Sequence, residues 1–541
     1  MTTERLKPFI PAVLDGKGSL RPLAEGHLMP ADDLFGSAVS STGNPVWHPG
    51  FGAIDGDHAA FVLPGRATVS VDLRSVRPAH VQCLLAAIER SPTIKGAQPL
   101  RQQVVDTECG LTLWAGDKGQ AVEVTRLWSE IKSAGDVGKA AILTTPSLYG
   151  NKLRLTGFIA PVATVSVPPG APILDLMSGT GVVARALASR HPISVNDANP
   201  YAALLSRTQG IDGNAIDVSA IAQAIRGPYA TNLEALTVLV GERIQEEAAL
   251  LHGDVDADGL QAFANFNALT LLPVTDGGGR KIARLFTERY ANVYFGLSQS
   301  MEIDSLRLAI DHGYPEAGPE RDLCLAALVI ACTACASGPH FAQPARAKSL
   351  RSLRTILERR ARSVAWEFEL ALGRLVSRPN LNYSLASATC GGWRDALDAF
   401  ATANNGASAG VYVDPPYSKL QYSRYYHVLN VLLAYDYPTV TGTGRYPPRE
   451  QRFSSRFEYQ PGMARRELSD LVKHCAARGL TTMISYGDAG FVGIETLISE
   501  LSGSFQRVEV FTEALRHHSQ GRIMASARHR VLEHVLVGRP T

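Results

Sequence analysis

Apolar and polar positions along the chain follow two rhythms that trade places. AAFVLPGRATVSVDL (59–73) alternates with a period of two and predicts strands. RPAHVQCLLAAIERS (77–91) returns apolar side chains every three to four positions, which predicts an amphipathic helix. From about residue 145 the pattern tightens. ILDLM (173–177) is a short apolar run ending at SGTG, VVARALASR (182–190) has a helical apolar face, and ISVND (193–197) is a second run closed by a carboxylate. Strand, glycine turn, helix and strand in that order predict a βαβ unit of a doubly wound parallel sheet. From about 211 to 380 the periodicity is mostly helical, broken at Asp276-Gly277-Gly278-Gly279. Within it Leu350, Leu353 and Leu357 fall on one helix face, with arginines around the rest. After about 385 strands return as GVYVD, TTMISYG, RVEVFTE and RVLEHVLVG.

The expected organisation is therefore one α/β sheet domain, residues 141–210 and 385–541, interrupted by a helical insertion at 211–384. Residues 1–140 read as an accessory N-terminal module in which no motif carries legible chemistry. A chain of 541 residues has room for roughly two to four domains. Its 45% hydrophobic and 19% charged residues are ordinary for a soluble protein. With a net charge of only +2, any basic surface must come from local clustering. MTTERLKPFIP lacks the apolar core of a signal peptide, and the longest apolar run, Leu323 to Ala336, is too short to span a bilayer. Seven scattered cysteines argue against a secreted disulfide framework. Cys324, Cys332, Cys335 and His340 raise the thought of zinc. Small buried cysteines in an apolar helix explain LCLAALVIACTACA better, and no metal is expected. The setting implied is a reducing cytoplasm.

Candidate chemistry begins at the glycine turn. Gly179-x-Gly181-x-x-Ala184 lies between a strand and a helix, and Asp197 ends the next strand. Glycines there permit a tight turn and close approach of a ligand, and an acid some 20 positions on can accept from ribose hydroxyls. A nicotinamide enzyme would use the same pattern. Asp175, just before the turn, would repel a pyrophosphate yet attract a cationic group. S-adenosylmethionine offers a sulfonium and an amino group and carries no phosphate. A second corner is Asp414-Pro415-Pro416-Tyr417, which closes GVYVD. Two prolines cannot donate to a sheet, so the chain must leave it there as a stiff corner presenting an acceptor and a ring.

Together these segments resemble a Dam-like, alpha-type adenine-N6 DNA methyltransferase. SLYGNKLRLTGFIAP (147–161) resembles the family's Gly-x-Lys segment, with Leu148 where a ring is expected. LDLMSGTGVVA resembles its first cofactor motif, ISVNDANP the acidic end of its second strand, and VYVDPPY its catalytic tetrapeptide. The downstream ARRELSDLVKHCAARGLTTMISYGDAG also looks like the later strands of the family, as does the basic C-terminal hairpin before EHVLVGR. The likeness covers roughly 145–210 and 385–541, is weaker at 294–310 and 337–344, and excludes the first 140 residues.

The resemblance implies a Rossmann-like S-adenosylmethionine-dependent methyltransferase sheet. It implies cofactor contacts from Tyr149, Gly150, Lys152, Asp175, Met177, Ser178, Gly179, Thr180, Gly181, Asp197 and Ala198. Asp395, with Asp398 as rival, would partner the cofactor's adenine amino group. Asp414, Pro415, Pro416 and Tyr417 would be catalytic. An exocyclic amine is a poor nucleophile because its lone pair is delocalised into the ring. The Asp414 carboxylate and Pro415 carbonyl would accept its two N–H bonds, and Tyr417 would stack on a base flipped from the duplex.

Gln421, Tyr422 and Arg424 would contact DNA from the following loop, for which packing on a helix face is the rival reading of Tyr422, Tyr425 and Tyr426. Phosphate contacts are expected from Arg351, Arg354, Arg359, Arg360 and Arg362, and from the 516–530 stretch with His517, His518 and Arg522. The expected partner is duplex DNA, with a nuclease or defence-system partner as a candidate and no membrane. The expected location is the cytoplasm, associated with the nucleoid, in restriction-modification or DNA methylation. RNA adenine methylation, cytosine-N4 methylation, a non-catalytic DNA clamp and a nicotinamide oxidoreductase are the competing readings.

Overall fold

The computed structural model describes residues 152–274, 281–378, 385–405, 408–416, 422–487, 490–516 and 530–540. Nearer the N-terminus it describes residues 77–92, the helix Lys118–Ala140 and strands within residues 11–115. The fold is α/β around a mostly parallel mixed sheet. Its seven central strands are β1 Ile173–Asp175, β2 Ile193–Asp197, β3 Leu385–Cys390, β4 Gly410–Val413, β5 Thr481–Gly487, β6 Arg507–Arg516 and β7 Arg530–Arg539. Their spatial order is β3-β2-β1-β4-β5-β7-β6, with β7 antiparallel to both β5 and β6. Two short strands, Pro45–Trp47 and Ser37–Val39, extend the sheet beyond β6. A second, antiparallel sheet is formed by the other strands of residues 11–115.

Strands buried on both faces read as near-continuous apolar runs, and side-chain alternation sorts them between two layers. Ile173, Ile193, Val195, Tyr412, Met483, Val535 and Val537 point to one layer. Leu174, Val411, Val413, Ile484, Tyr486 and Leu536 point to the other, against helices Trp393–Ala403, Pro461–Ala477 and Ile494–Ser502.

The first layer also takes in helices that precede residue 141. Helices Pro78–Arg90 and Lys118–Ala140 bury Cys83, Leu84, Val124 and Trp128 in one core with Phe158, Val183 and Phe511 of the sheet domain. Arg90 pairs with Glu509 of β6 at 2.8 Å, and the Gln82 side-chain Oε1 accepts from the Thr512 amide at 2.9 Å. Glu509 is fully buried and also faces Arg507 and Arg539, each at 3.1 Å. Residues 77–92 and 118–140 are thus part of the sheet domain's own layer. An amphipathic pattern identifies a buried face but not what covers it.

The insertion folds as helices from Val218–Val240 to Val364–Val376. Its main core takes in Tyr201, Leu204 and Leu205 from helix Pro200–Arg207, and Val428, Leu429 and Leu432 from helix His427–Ala434. Cys324, Cys332 and Cys335 are buried packing residues of helix Pro319–Cys335, and burial raises their thiol pKa values. Among the described residues no helix is long and apolar enough to cross a membrane.

Candidate active site

Strand order dictates where a ligand can sit. β2 and β3 lie on one side of β1, and β4 and β5 lie on the other, so a crevice opens outside the carboxyl ends of β1 and β4. Asp175 is the last residue of β1, Asp197 the last of β2, and Asp414 follows the last residue of β4. In register Asp175 lies opposite both Val195 and Tyr412. All three carboxylates therefore emerge at one edge of the sheet.

The turn after β1 needs its glycines. Gly179 has φ of 53° and Gly181 of 75°, a left-handed backbone that only glycine adopts without strain. At Gly181 a side chain would also collide, since a Cβ there would lie 2.7 Å from the Ser206 Cα and from the Gln209 Cγ. Both flanking acids hold this turn. Asp197 accepts from the Gly179 amide at 2.9 Å and from the Asn199 amide at 2.8 Å. Asp175 accepts from the Ala184 amide at 3.1 Å, in the first turn of helix Val182–Leu187. A protein carboxylate thus already faces the N-terminal amides where a pyrophosphate would dock in a dinucleotide site. The other oxygen of Asp175, Oδ1, is buried without a hydrogen-bond partner.

A cavity of about 500 Å³ lies over these residues. Its floor is Asp175 to Thr180 and Asn196 to Asn199, one wall is Gly391 to Asp395, and the opposite wall is Lys152 with Asp414 to Pro416. Tyr422 and residues 453–458 complete it. Among the positions expected to hold a cofactor, Lys152, Asp175, Met177, Ser178, Gly179, Thr180, Asp197, Ala198 and Asp395 all line this space. Gly181 shapes the turn behind it. Asp395 lies on helix Trp393–Ala403, whereas its rival Asp398 pairs with Arg478 and, at 3.1 Å, with His474. Tyr149, Gly150, Tyr417, Gln421, His517, His518 and Arg522 lie outside the described residues.

Lys152 sits on the short helix Lys152–Leu155 and is buried. Its ammonium stands 3.2 Å from Asp414 Oδ1, without the alignment of a hydrogen bond, and makes a shorter contact with Glu533 of β7. Ser485 Oγ donates to the same Glu533 oxygen at 3.1 Å. Asp414 is raised to about 7, with burial the largest cause, Lys152 opposing it and the charge of Glu533 adding to it. Burial raises Asp197 to about 6, and lifts Asp175 well above the carboxylate range, with the charge of Asp414 adding to the effect. Glu458 on the covering loop is lifted by burial to about 8. Among the described residues, the cavity floor is acidic and one wall carries a buried ammonium, with Arg394 and Arg456 also on the lining.

The helix Leu350–Arg360 divides the arginines expected to grip phosphate. Arg351 and Arg354 are exposed. Arg359 is half-buried and Arg360 is buried. Arg359 donates to the Ala336 and Gly338 carbonyls, and Arg360 is buried on Ser337, Asn267 and Asn292. Arg362 is exposed and donates to the Ala334 carbonyl at 3.2 Å. Arg360 follows Leu353 and Leu357 on the same helical stripe, so its burial was legible in the spacing. Arg424 stacks over the Tyr446 ring at 5.0 Å, Tyr425 lies against His340 and Tyr426 is buried against Tyr201. Tyr422 alone of the three tyrosines lines the cavity.

No family model matches this chain. Nor does any curated protein or solved structure.

Sequence reasoning missed Glu533 and the 453–458 loop. A glutamate between Leu532 and Val535 in an apolar strand was a usable signal, because acids are rarely buried unless paired. The loop residues carry no periodicity that would have drawn attention.

Proposed function

We propose that the chain transfers a methyl group from S-adenosylmethionine to the N6 amine of adenine in duplex DNA. The observation that carries this reading is the Asp175 carboxylate on the Ala184 amide, with Oδ1 buried and unpartnered, in a cavity it shares with Asp414. A pyrophosphate would meet that carboxylate at short range, whereas a cationic ligand would neutralise it. This favours a sulfonium cofactor over a nicotinamide dinucleotide.

The residues present fit such a cofactor. Asp175 would take its ammonium, and Asp197 has acceptor capacity left for ribose hydroxyls beyond its two backbone bonds. Asp395 would accept from its adenine amine. The strand order β3-β2-β1-β4-β5 is that of a doubly wound Rossmann-like sheet, which supports the same reading. When bound, the cofactor supplies an electrophilic methyl carbon. The chain's own residues supply alignment. Asp414, ionised, and the carbonyl of Pro415 would accept the target amine's two hydrogens, draw its nitrogen toward a tetrahedral shape and free the lone pair. The rigid proline corner keeps those acceptors fixed, and Tyr422 on the cavity wall offers a ring to the extruded base. Exposed Arg351 and Arg354 would hold phosphates.

Incubating the full chain with methyl-labelled cofactor and duplex DNA, then digesting to nucleosides, tests the assignment. Label in N6-methyladenine supports it. Label in N4-methylcytosine, or only in RNA, moves the substrate, and an unlabelled nucleic acid pool refutes it.

A further inference from the structure

We propose that Glu533 is a positioning residue that sets the charge and freedom of Asp414 through Lys152. The geometry is a relay across three elements. Lys152 comes from the 3-10 helix before the sheet, Asp414 from the end of β4 and Glu533 from β7, 381 residues from Lys152 in sequence. Glu533 lies opposite Gly487 in the antiparallel β5–β7 pair and accepts from Ser485 Oγ at 3.1 Å, so its carboxylate is fixed by the sheet itself. It is 3% exposed and lies outside the cavity lining, so it acts through another group.

The division of the ammonium is unequal. Lys152 donates to Glu533, whereas its approach to Asp414 is 3.2 Å and not aligned as a hydrogen bond. Asp414 Oδ1 is therefore attracted by a nearby positive charge while its acceptor capacity stays open. An ammonium directed wholly at Asp414 would occupy that oxygen and hold it firmly ionised. With Glu533 taking the hydrogen bond, Lys152 orients Asp414 but leaves it able to accept from an amine. The groups facing Asp414 are Lys152, Glu533 from β7, Asp197 from β2, Asp175 from β1 and Tyr412 on its own strand. Lys152 is the one cation among these described residues, so how its charge is shared between Asp414 and Glu533 sets the balance. The coupling of Glu533 to Asp414 is independent of the reaction catalysed; its consequence for catalysis rests on the methyltransferase reading.

The test uses full-length protein labelled with 13C-carboxyl aspartate, the Asp414 signal being assigned with Asp414→Asn. Glu533→Gln keeps the side-chain shape and removes the charge. The Asp414 titration midpoint then falls by about one pH unit or more, and the acid limb of any methyl-transfer rate falls with it. Lys152→Met moves the midpoint the opposite way. A purely structural Glu533 would lower Tm and leave the midpoint unmoved. If Glu533→Gln does not fold, Glu533→Asp withdraws the carboxylate by one methylene and produces a smaller fall. An unchanged or raised midpoint in the folded variant overturns the proposal. A shifted midpoint in a protein that methylates nothing sinks the functional reading and leaves this one standing.

Discussion

If the cavity takes S-adenosylmethionine as proposed, its affinity is linked to protons. The perturbation is pH alone. Asp414 carries a carboxyl pushed from 3.8 to about 7 by burial, so the ligand-free protein holds it mostly protonated at mildly acid pH. A sulfonium beside it favours the ionised form, and binding expels a proton. For one proton released, affinity rises tenfold per pH unit below the midpoint, about 1.4 kcal/mol for each unit. The rise flattens once Asp414 is already ionised in the free protein. Asp175, also raised by burial, would extend the dependence upward in pH. Titration calorimetry from about pH 6 to about pH 8, in two buffers of different ionisation enthalpy, counts the protons directly. The expected result is about a fivefold gain for S-adenosylmethionine between pH 6 and pH 7, because Asp414 is already half ionised at the upper end. The demethylated product, which lacks the sulfonium, should show a shallower slope, as should Asp414→Asn with the intact cofactor. Equal slopes for all three, or an affinity independent of pH, would refute the reasoning.

Three other outcomes are expected. Gly181→Ala combines a left-handed backbone with a Cβ 2.7 Å from Ser206 Cα; a loss of about 2 to 4 kcal/mol in denaturant melts, with weakened cofactor binding, is predicted. Burial alone would raise the Glu509 carboxyl, but Arg90, Arg539 and Arg507 together hold it below its ordinary value. Its stabilisation is therefore present above the unfolded carboxylate pKa and lost as pH falls through the folded one. Glu509→Gln should cost about 3 to 5 kcal/mol at neutral pH and less in acid, read from urea melts at both. Replacing Arg351 and Arg354 together by alanine should reduce the slope of log affinity for duplex DNA against log salt by about 2 if both touch phosphate. An unchanged slope would remove that helix from the interface.

What the sequence disclosed was local. β1, the glycine turn, helix Val182–Leu187 and β2 are consecutive, and each is specified by residues within a few positions of it. The proline corner was equally legible, because loss of two backbone donors ends β4 at Val413 whatever surrounds it. Features depending on distant partners were not. The helices before residue 140 displayed an apolar face, yet nothing in them named Phe158 or Phe511 as neighbours. The partners of buried Arg360, Ser337, Asn267 and Asn292, were likewise hidden, although its place on the stripe of Leu353 and Leu357 sets it apart from exposed Arg351. Glu533 meets Lys152 because the last strand inserts between β5 and β6, a crossover that no local pattern encodes.

The most direct measurement pairs methyl transfer with cofactor binding in one substitution. Asp414→Ala and the unmodified chain are each given labelled S-adenosylmethionine and duplex DNA, and binding of the cofactor is measured on the same preparations. The account predicts that label reaches adenine in the unmodified chain and falls to background in Asp414→Ala, while the substituted protein still binds cofactor. Label that persists in adenine without the Asp414 carboxylate would contradict it.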